Sequence, residues 1–221
     1  MSFLTGKKVV VMGVANKRSI AWGCAQALKS QGAEVIYTYQ NDRMKKPLER
    51  LLESDEFVVE CDVANDESIA AAFETIKEYA GEIHGVVHAV AYANKEDLSG
   101  DILNISRDGY ALAQDISSYS LIAVTKYAKP ILAENAGIVT LSYLGAERAV
   151  PNYNMMGIAK AALESSVRYL AAELSPQKIR VNAISAGAIK TLAVTGVKDY
   201  QKLIQLSEDR TPDHIGVTIE E

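Results

Sequence analysis

Short apolar runs alternating with longer amphipathic stretches constrain this chain more than any other feature. The runs are Val9-Val10-Val11-Met12, Val35-Ile36-Tyr37-Thr38-Tyr39, Phe57-Val58-Val59 continuing to Cys61, Val86-Val87-His88-Ala89-Val90-Ala91, Ile138-Val139-Thr140-Leu141-Ser142, and Ile179-Arg180-Val181-Asn182-Ala183-Ile184. They are β-branched and nearly unbroken, as strands covered on both faces must be. Helical periodicity lies between them, over Ser19–Ser30, Lys45–Leu52, Asp66–Tyr79, Arg107–Ala133 and Tyr153–Leu174, with Asp66 expected as an N-cap. Alternation of this kind builds a parallel sheet by right-handed crossovers. The expected fold is α/β, a Rossmann-like doubly wound parallel sheet in three layers. No repeat, low-complexity tract or linker divides residues 1–221, so one domain is expected. Ligands then belong at the carboxyl ends of the strands, where strand order reverses.

Other features narrow the class. No apolar run approaches the roughly 18 residues of a membrane span, and the start, Met1-Ser2-Phe3-Leu4-Thr5-Gly6-Lys7-Lys8, lacks a secretory pattern. A cytoplasmic protein without membrane contact is expected. The net charge of −5 argues against nucleic acid as a partner. The local cluster Arg43, Lys45, Lys46 reads as a solvated helix start or as a landing place for an anion. Cys24 and Cys61 read as small buried hydrophobes. Neither cysteine forms a ligand spacing with His84, His88 or His214, so no metal site is expected.

The first strand ends at Gly13-Val14-Ala15-Asn16-Lys17-Arg18-Ser19-Ile20-Ala21-Trp22-Gly23. Small residues there let backbone N–H groups approach a pyrophosphate, and a helix N-terminus adds positive partial charge. The strict G-x-G-x-x-G pattern fails, because Ala15 and Arg18 stand at its second and third glycine positions. Gln40, ending the second strand, is neutral and suits ribose hydroxyls, which favours NADH; nearby Arg43 keeps NADPH open. Asp62 and Val63, ending the third strand, suit an adenine. Tyr153 and Lys160 stand seven residues apart, close to two helical turns, and so share a face. An ammonium beside a phenol favours its ionised form and strengthens its hydrogen bond to a developing oxyanion.

With these residues the chain resembles the short-chain dehydrogenase/reductase superfamily. It closely resembles the superfamily's divergent branch, the bacterial enoyl-acyl carrier protein reductases of type II fatty acid synthesis. Ordinary members carry a tyrosine four residues before the lysine and a serine thirteen residues before that tyrosine; here those places hold Met156 and Tyr143. The first loop, Asp62-Val63 and the run Ala186-Gly187-Ala188-Ile189-Lys190-Thr191-Leu192-Ala193 match the same branch. Ala188 departs from it, standing where most relatives carry proline.

The resemblance implies hydride transfer from NADH to the trans-2 double bond of an enoyl-acyl carrier protein thioester, with NADPH as a possible substitute. It assigns catalysis to Tyr143, Tyr153 and Lys160. It assigns cofactor binding to Gly13, Ala15, Ser19, Ile20, Gln40, Asp62, Val63, Val90, Lys160, Ile189, Thr191, Leu192 and Ala193. Ala93, Tyr143 and Tyr153 would meet the substrate. A mobile flap over the acyl chain is implied near Lys198–Glu208, with Val194, Val197, Leu203 and Ile204 as its apolar residues.

The chain stops at Val217-Thr218-Ile219-Glu220-Glu221, where Thr218 and Glu221 read as a capping box. The family's next helix and last, seventh strand would follow, so a fragment or a truncated protein is expected, and a homotetramer only if the C-terminus is complete. Two competitors remain: a carbonyl-reducing short-chain dehydrogenase, which Met156 counts against, and a catalytically silent dinucleotide-binding regulator.

Overall fold

A computed structural model describes residues 2–195 and 198–219, without the side chains of Leu192 and Ala193. The first half runs β1 (Lys8–Met12), α1 (Ile20–Ser30), β2 (Glu34–Tyr39), α2 (Asp42–Glu49), β3 (Val58–Glu60), α3 (Asp66–Ala80) and β4 (Ile83–His88). The second half runs α4 (Lys95–Leu98), α5 (Arg107–Gln114), a π-turn (Asp115–Tyr119), α6 (Ser120–Ala128), β5 (Leu132–Ser142), α7 (Asn154–Leu174), β6 (Arg180–Ser185), α8 (Leu192–Thr195) and α9 (Tyr200–Glu208). The strands form one six-stranded parallel sheet in the order β3-β2-β1-β4-β5-β6.

Alternation along β1 shows why there are three layers. Val9 and Val11 pack with α1 and α2 through Ala21, Ala25 and Leu48. Val10 and Met12 face the opposite way, into a larger core with Phe73 of α3, Leu121 of α6 and Leu163 of α7. Each such side chain contributes about 1.5–3 kcal/mol by leaving water. Among the described residues β6 stands last in the sheet, and only Val181 of its residues is buried.

Local expectations change at several points. Asn65, not Asp66, caps α3: its carboxamide oxygen accepts from Ser68 N–H at 3.0 Å, and Asp66 is the first helical residue. The expected helix Arg107–Ala133 is interrupted by the π-turn and closes on a 3₁₀ turn over Lys129–Ile131, where Pro130 cannot continue it. Its last residues, Leu132 and Ala133, already belong to β5, because Leu132 pairs with Ile83 of β4. β4 also ends at His88, leaving Ala89, Val90 and Ala91 in the loop beyond it. The expected capping box of Thr218 needs Glu221, and the expected flap includes Val197; Val197 and Glu221 lie outside the described residues.

Candidate active site

Strand order reverses between β1 and β4, which opens a crevice at their carboxyl ends. Gly13 closes β1 at φ +92°, and a Cβ there would collide with the carbonyl of Ala89 beyond β4. Only glycine permits this approach. The loop then bonds to itself: Ser19 N–H and Oγ donate to the Asn16 carbonyl at 3.0 and 2.7 Å. Ser19 is the N-cap of α1 yet makes no side-chain cap bond to it, and the first turn carries no acid. The α1 N-terminus is therefore open to an anion. Gly13, Ala15, Ser19 and Ile20 all lie on this turn, and the arrangement fits a dinucleotide pyrophosphate.

Gln40 and Asp62, expected to act separately, meet across the ends of β2 and β3. Gln40 Nε2 donates to Asp62 Oδ1 at 3.4 Å, and Ala64 N–H donates to the same oxygen at 3.1 Å. Val63 is buried in the larger core, and Val90 packs against it. Ala93 packs in a satellite cluster with Met155, Met156, Ala159 and Tyr153.

Tyr153 is the N-cap residue of α7, at φ −112° and ψ 4°, so its ring is placed by the turn before the helix. Gly145 makes the room, since a Cβ at that position would stand 2.5 Å from the Tyr153 ring. The rings of Tyr143 and Tyr153 meet edge to face, with centroids 4.9 Å apart and planes at 70°. Burial, reinforced by Tyr143, holds the Tyr153 phenol well above its ordinary pKa. Burial raises the Tyr143 phenol as well, opposed by the charge of Arg210.

Lys160 is buried two turns further along, and its Nζ donates to the Leu141 carbonyl at 2.7 Å. Desolvation lowers its pKa from 10.5 to about 8. The ammonium is thus directed at the end of β5. Burial outweighs any pull toward the ionised form, so the Tyr153 phenol is held protonated, which suits a donor to an oxyanion. One turn on, Glu164 accepts from Ser142 Oγ, so adjacent β5 residues are tied to adjacent turns of α7.

Ile189 and Thr191 are buried after β6. Thr191 Oγ1 accepts from Val194 N–H at 3.2 Å and caps α8, which holds the backbone of Leu192 and Ala193; their side chains lie outside the description. α9 covers most of the expected flap, with Leu203 buried and Ile204 and Val194 half-buried. A cleft of about 380 Å³ lies beside Tyr143, walled by Arg148, Val150, Gly187, Leu203 and Arg210. Another, of about 390 Å³, lies beside Tyr153, walled by Ile102, Gly145, Val150, Asn154 and Ile158. The tyrosine pair stands between them.

The sequence model of the family described as Enoyl-(Acyl carrier protein) reductase matches residues 13–221. The chain belongs to the enoyl-acyl carrier protein reductase family. It is 70% identical over 219 residues to the NADH-dependent reductase FabI of Enterococcus faecalis, spanning 99% of this chain and 88% of that one. It is 48% identical over 213 residues to the NADPH-dependent FabI of Staphylococcus aureus, spanning 95% and 83%. The solved Bacillus cereus enoyl-acyl carrier protein reductase, in complex with NADP+ and indole naphthyridinone, superposes with a TM-score of 0.95 at 50% identity. That match covers 100% of this chain and 87% of that one.

As an enoyl-acyl carrier protein reductase, the chain holds buried polar residues that periodicity did not single out. His88, fully buried at the end of β4, bonds Thr140 and Ser120. Its signal was a polar side chain inside an apolar run, opposite a threonine in the same position of β5. Glu164 gave no signal, because its partner Ser142 is visible only in three dimensions.

Proposed function

We propose that this protein reduces the trans-2 double bond of enoyl thioesters carried on acyl carrier protein, the last step of a fatty acid elongation cycle. One observation carries the reading. The Tyr143–Tyr153 pair meets edge to face at the head of α7, the helix that carries the buried Lys160, and Met156, buried four residues before that lysine, takes the place of a carbonyl reductase's tyrosine.

NADH supplies hydride to C3 of the thioester when bound. Gly13, Ala15, Ser19 and Ile20 would hold its pyrophosphate, Gln40 and Asp62 its adenosine half, and Val90, Ile189, Thr191, Leu192 and Ala193 its nicotinamide half. Lys160 would hold the nicotinamide ribose. The Asp62 carboxylate beside Gln40 repels a 2′-phosphate, which favours NADH over NADPH. Negative charge collects on the thioester oxygen as C3 is reduced, and the protonated Tyr153 hydroxyl donates to it. Tyr143 orients Tyr153 and lines the acyl pocket with Ala93. C2 of the enolate then takes a proton from solvent as the thioester carbonyl re-forms.

The protein works in the cytoplasm; among the described residues no helix is long and apolar enough to cross a membrane. Tyr110, Tyr119, Ile122 and Tyr169 on α5, α6 and α7 and in the π-turn are exposed, which supports a homotetramer.

Reduced-nicotinamide consumption tests the reading. An enoyl thioester should turn over faster than a ketoacyl thioester, and Tyr153→Phe should cut kcat by about 10²- to 10³-fold. Preference for the ketoacyl substrate would sink it, and NADH binding without turnover would favour a silent regulator.

A further inference from the structure

His88 is the one fully buried imidazole among the described residues, and both its ring nitrogens have partners. Nδ1 lies 3.0 Å from Thr140 Oγ1, and Nε2 lies 2.8 Å from Ser120 Oγ. A leucine or phenylalanine would fill a core position without the desolvation cost of a polar ring. The ring is matched to hydroxyls from separate elements, and both elements lead into the active site.

The first connection runs through β5. His88 and Thr140 are register partners in the β4–β5 ladder. The residue after Thr140 is Leu141, whose carbonyl accepts from Lys160 Nζ at 2.7 Å. Where the Thr140 segment sits decides where the Lys160 ammonium sits.

The second connection runs through the π-turn. Ser120 directly follows it, and Ser120 Oγ also lies 2.6 Å from the Ile116 carbonyl within it. Ser117 of the same turn binds both backbone groups of Tyr92, accepting from its N–H and donating to its carbonyl at 2.9 Å each. Tyr92 precedes Ala93, the residue assigned to the substrate side. Such π insertions are rare in helices and cluster at functional sites.

Proton counting shows that the set closes on itself. With the proton on Nε2, His88 donates to Ser120, Ser120 to the Ile116 carbonyl, and Thr140 to Nδ1. With the proton on Nδ1, His88 donates to Thr140, Thr140 to the His88 carbonyl, and Ser120 to Nε2. Either tautomer satisfies the buried ring without charge. Full burial, and then the charge of Lys160, hold His88 down at about 3, so it stays neutral across the physiological range.

We propose that His88 is a positioning residue for the reduction, its ring locking β5 to the π-turn so that Lys160 and the loop after β4 are held in one fixed relation. The inference rests on the reductase reading above. His88 touches neither substrate nor cofactor and acts through Thr140–Leu141 and through Ser120. Of the ionisable groups on the neighbouring elements, His88 on β4 feels the charge of Lys160, Tyr153 and Glu164 stand before and after it along α7, Tyr143 follows β5, and Asp115 and Tyr119 lie in the π-turn packed against α7. Only His88 belongs to the locking set.

The test uses His88→Leu, which loses both bonds, and Thr140→Val, which keeps shape and loses one. His88→Gln, able to reach Ser120 alone, serves as partial rescue. Three readouts are taken on the folded proteins: kcat and KM for an enoyl thioester, the pH profile of kcat, and the pH dependence of Lys160 acetylation by acetic anhydride, followed by mass spectrometry. The expected result is a kcat lower by on the order of 10- to 100-fold with KM little changed. The alkaline limb should move up in pH as water reaches Lys160, and Gln should restore part of kcat.

A lower melting temperature with wild-type kcat, pH profile and Lys160 labelling would overturn the proposal and leave His88 a core residue. Wild-type failure to reduce the enoyl thioester would overturn the reductase reading instead. The labelling profile then decides His88 by itself: an upward shift in the variants supports the lock, and an unshifted profile defeats it.

Discussion

At the residue scale, Lys160 is a buried ammonium. Its Nζ has one hydrogen bond to a backbone carbonyl and almost no water, and its pKa falls from 10.5 to about 8. The ammonium form predominates below about 8, so kcat should fall as pH rises through that value. Stability follows the opposite sign. Between about 8 and 10.5 the unfolded chain holds a proton that the folded chain has released, so this group makes stability rise with pH there. Below 8 the folded state bears the full cost of a buried charge, about 3 kcal/mol at 1.36 kcal/mol per unit. Lys160→Met removes that cost but leaves the Leu141 carbonyl unpaired, which offsets about 1–3 kcal/mol of it. The variant should be inactive and, near pH 7, at least as stable as the parent. Urea denaturation at several pH values checks this: the variant's advantage should shrink from pH 8 upward, and a constant difference would refute the assigned pKa. Sequence spacing brought Tyr153 and Lys160 together but missed how they cooperate. The face-sharing rule applies within a helix, and Tyr153 stands at its cap, seated by Gly145. The direction of the ammonium depended on a carbonyl nineteen residues earlier, at Leu141.

Elements were legible where local chemistry and tertiary pairing agree, and misread where they conflict. The runs through β1, β2 and β5 are apolar whatever their neighbours do. The segment Leu132-Ala133-Glu134-Asn135-Ala136 favours helix by composition, yet parallel pairing with β4 draws it into the sheet. Asn135 absorbs the mismatch at φ 65°, beside the register shift between Ile83 and Gly85. The α3 cap shows a finer conflict. Asn65 and Asp66 are equally good caps, and the turn bond from Asn65 N–H to the Asp62 carbonyl, 3.1 Å, selects Asn65 by setting its backbone extended. Asn65→Ala should cost about 1 kcal/mol in denaturant unfolding. Its kcat should be unchanged, since the cap bond lies within the start of α3 and involves neither tyrosine nor Lys160. Gly13→Ala should behave differently. A left-handed φ costs a β-carbon about 1–2 kcal/mol, and displacement from the Ala89 carbonyl adds to that while disturbing the α1 N-terminus. Weaker NADH binding in a fluorescence titration, together with the lost stability, would tie the loop to both roles. Unaltered NADH affinity would separate them.

At the scale of the whole molecule, the proposed dinucleotide site draws on nearly every part of the fold: the β1–α1 turn, the ends of β2 and β3, the loop after β4, Lys160 on α7 and the segment after β6. These segments are joined by the sheet and by local contacts such as Gly13 with Ala89 and Gln40 with Asp62, and among the described residues β6 lies at the sheet's edge, mostly exposed. A ligand bridging them binds the folded chain alone, so it stabilises the whole molecule by mass action. At a hundredfold excess over Kd the gain is about 2.7 kcal/mol. For a chain of this size each kcal/mol raises Tm by about 2–4 °C. Saturating NADH should therefore raise Tm by about 5–10 °C, most of it lost in Gly13→Ala. NADPH at the same concentration should raise it less, because its 2′-phosphate meets Gln40 with the Asp62 carboxylate behind it, and Arg43 is the nearest cation along the chain. High salt screens that repulsion and should narrow the gap between the two cofactors. Equal shifts at low salt would place the 2′-position against the Arg43, Lys45, Lys46 cluster instead, making that cluster an anion site and not merely the solvated start of α2.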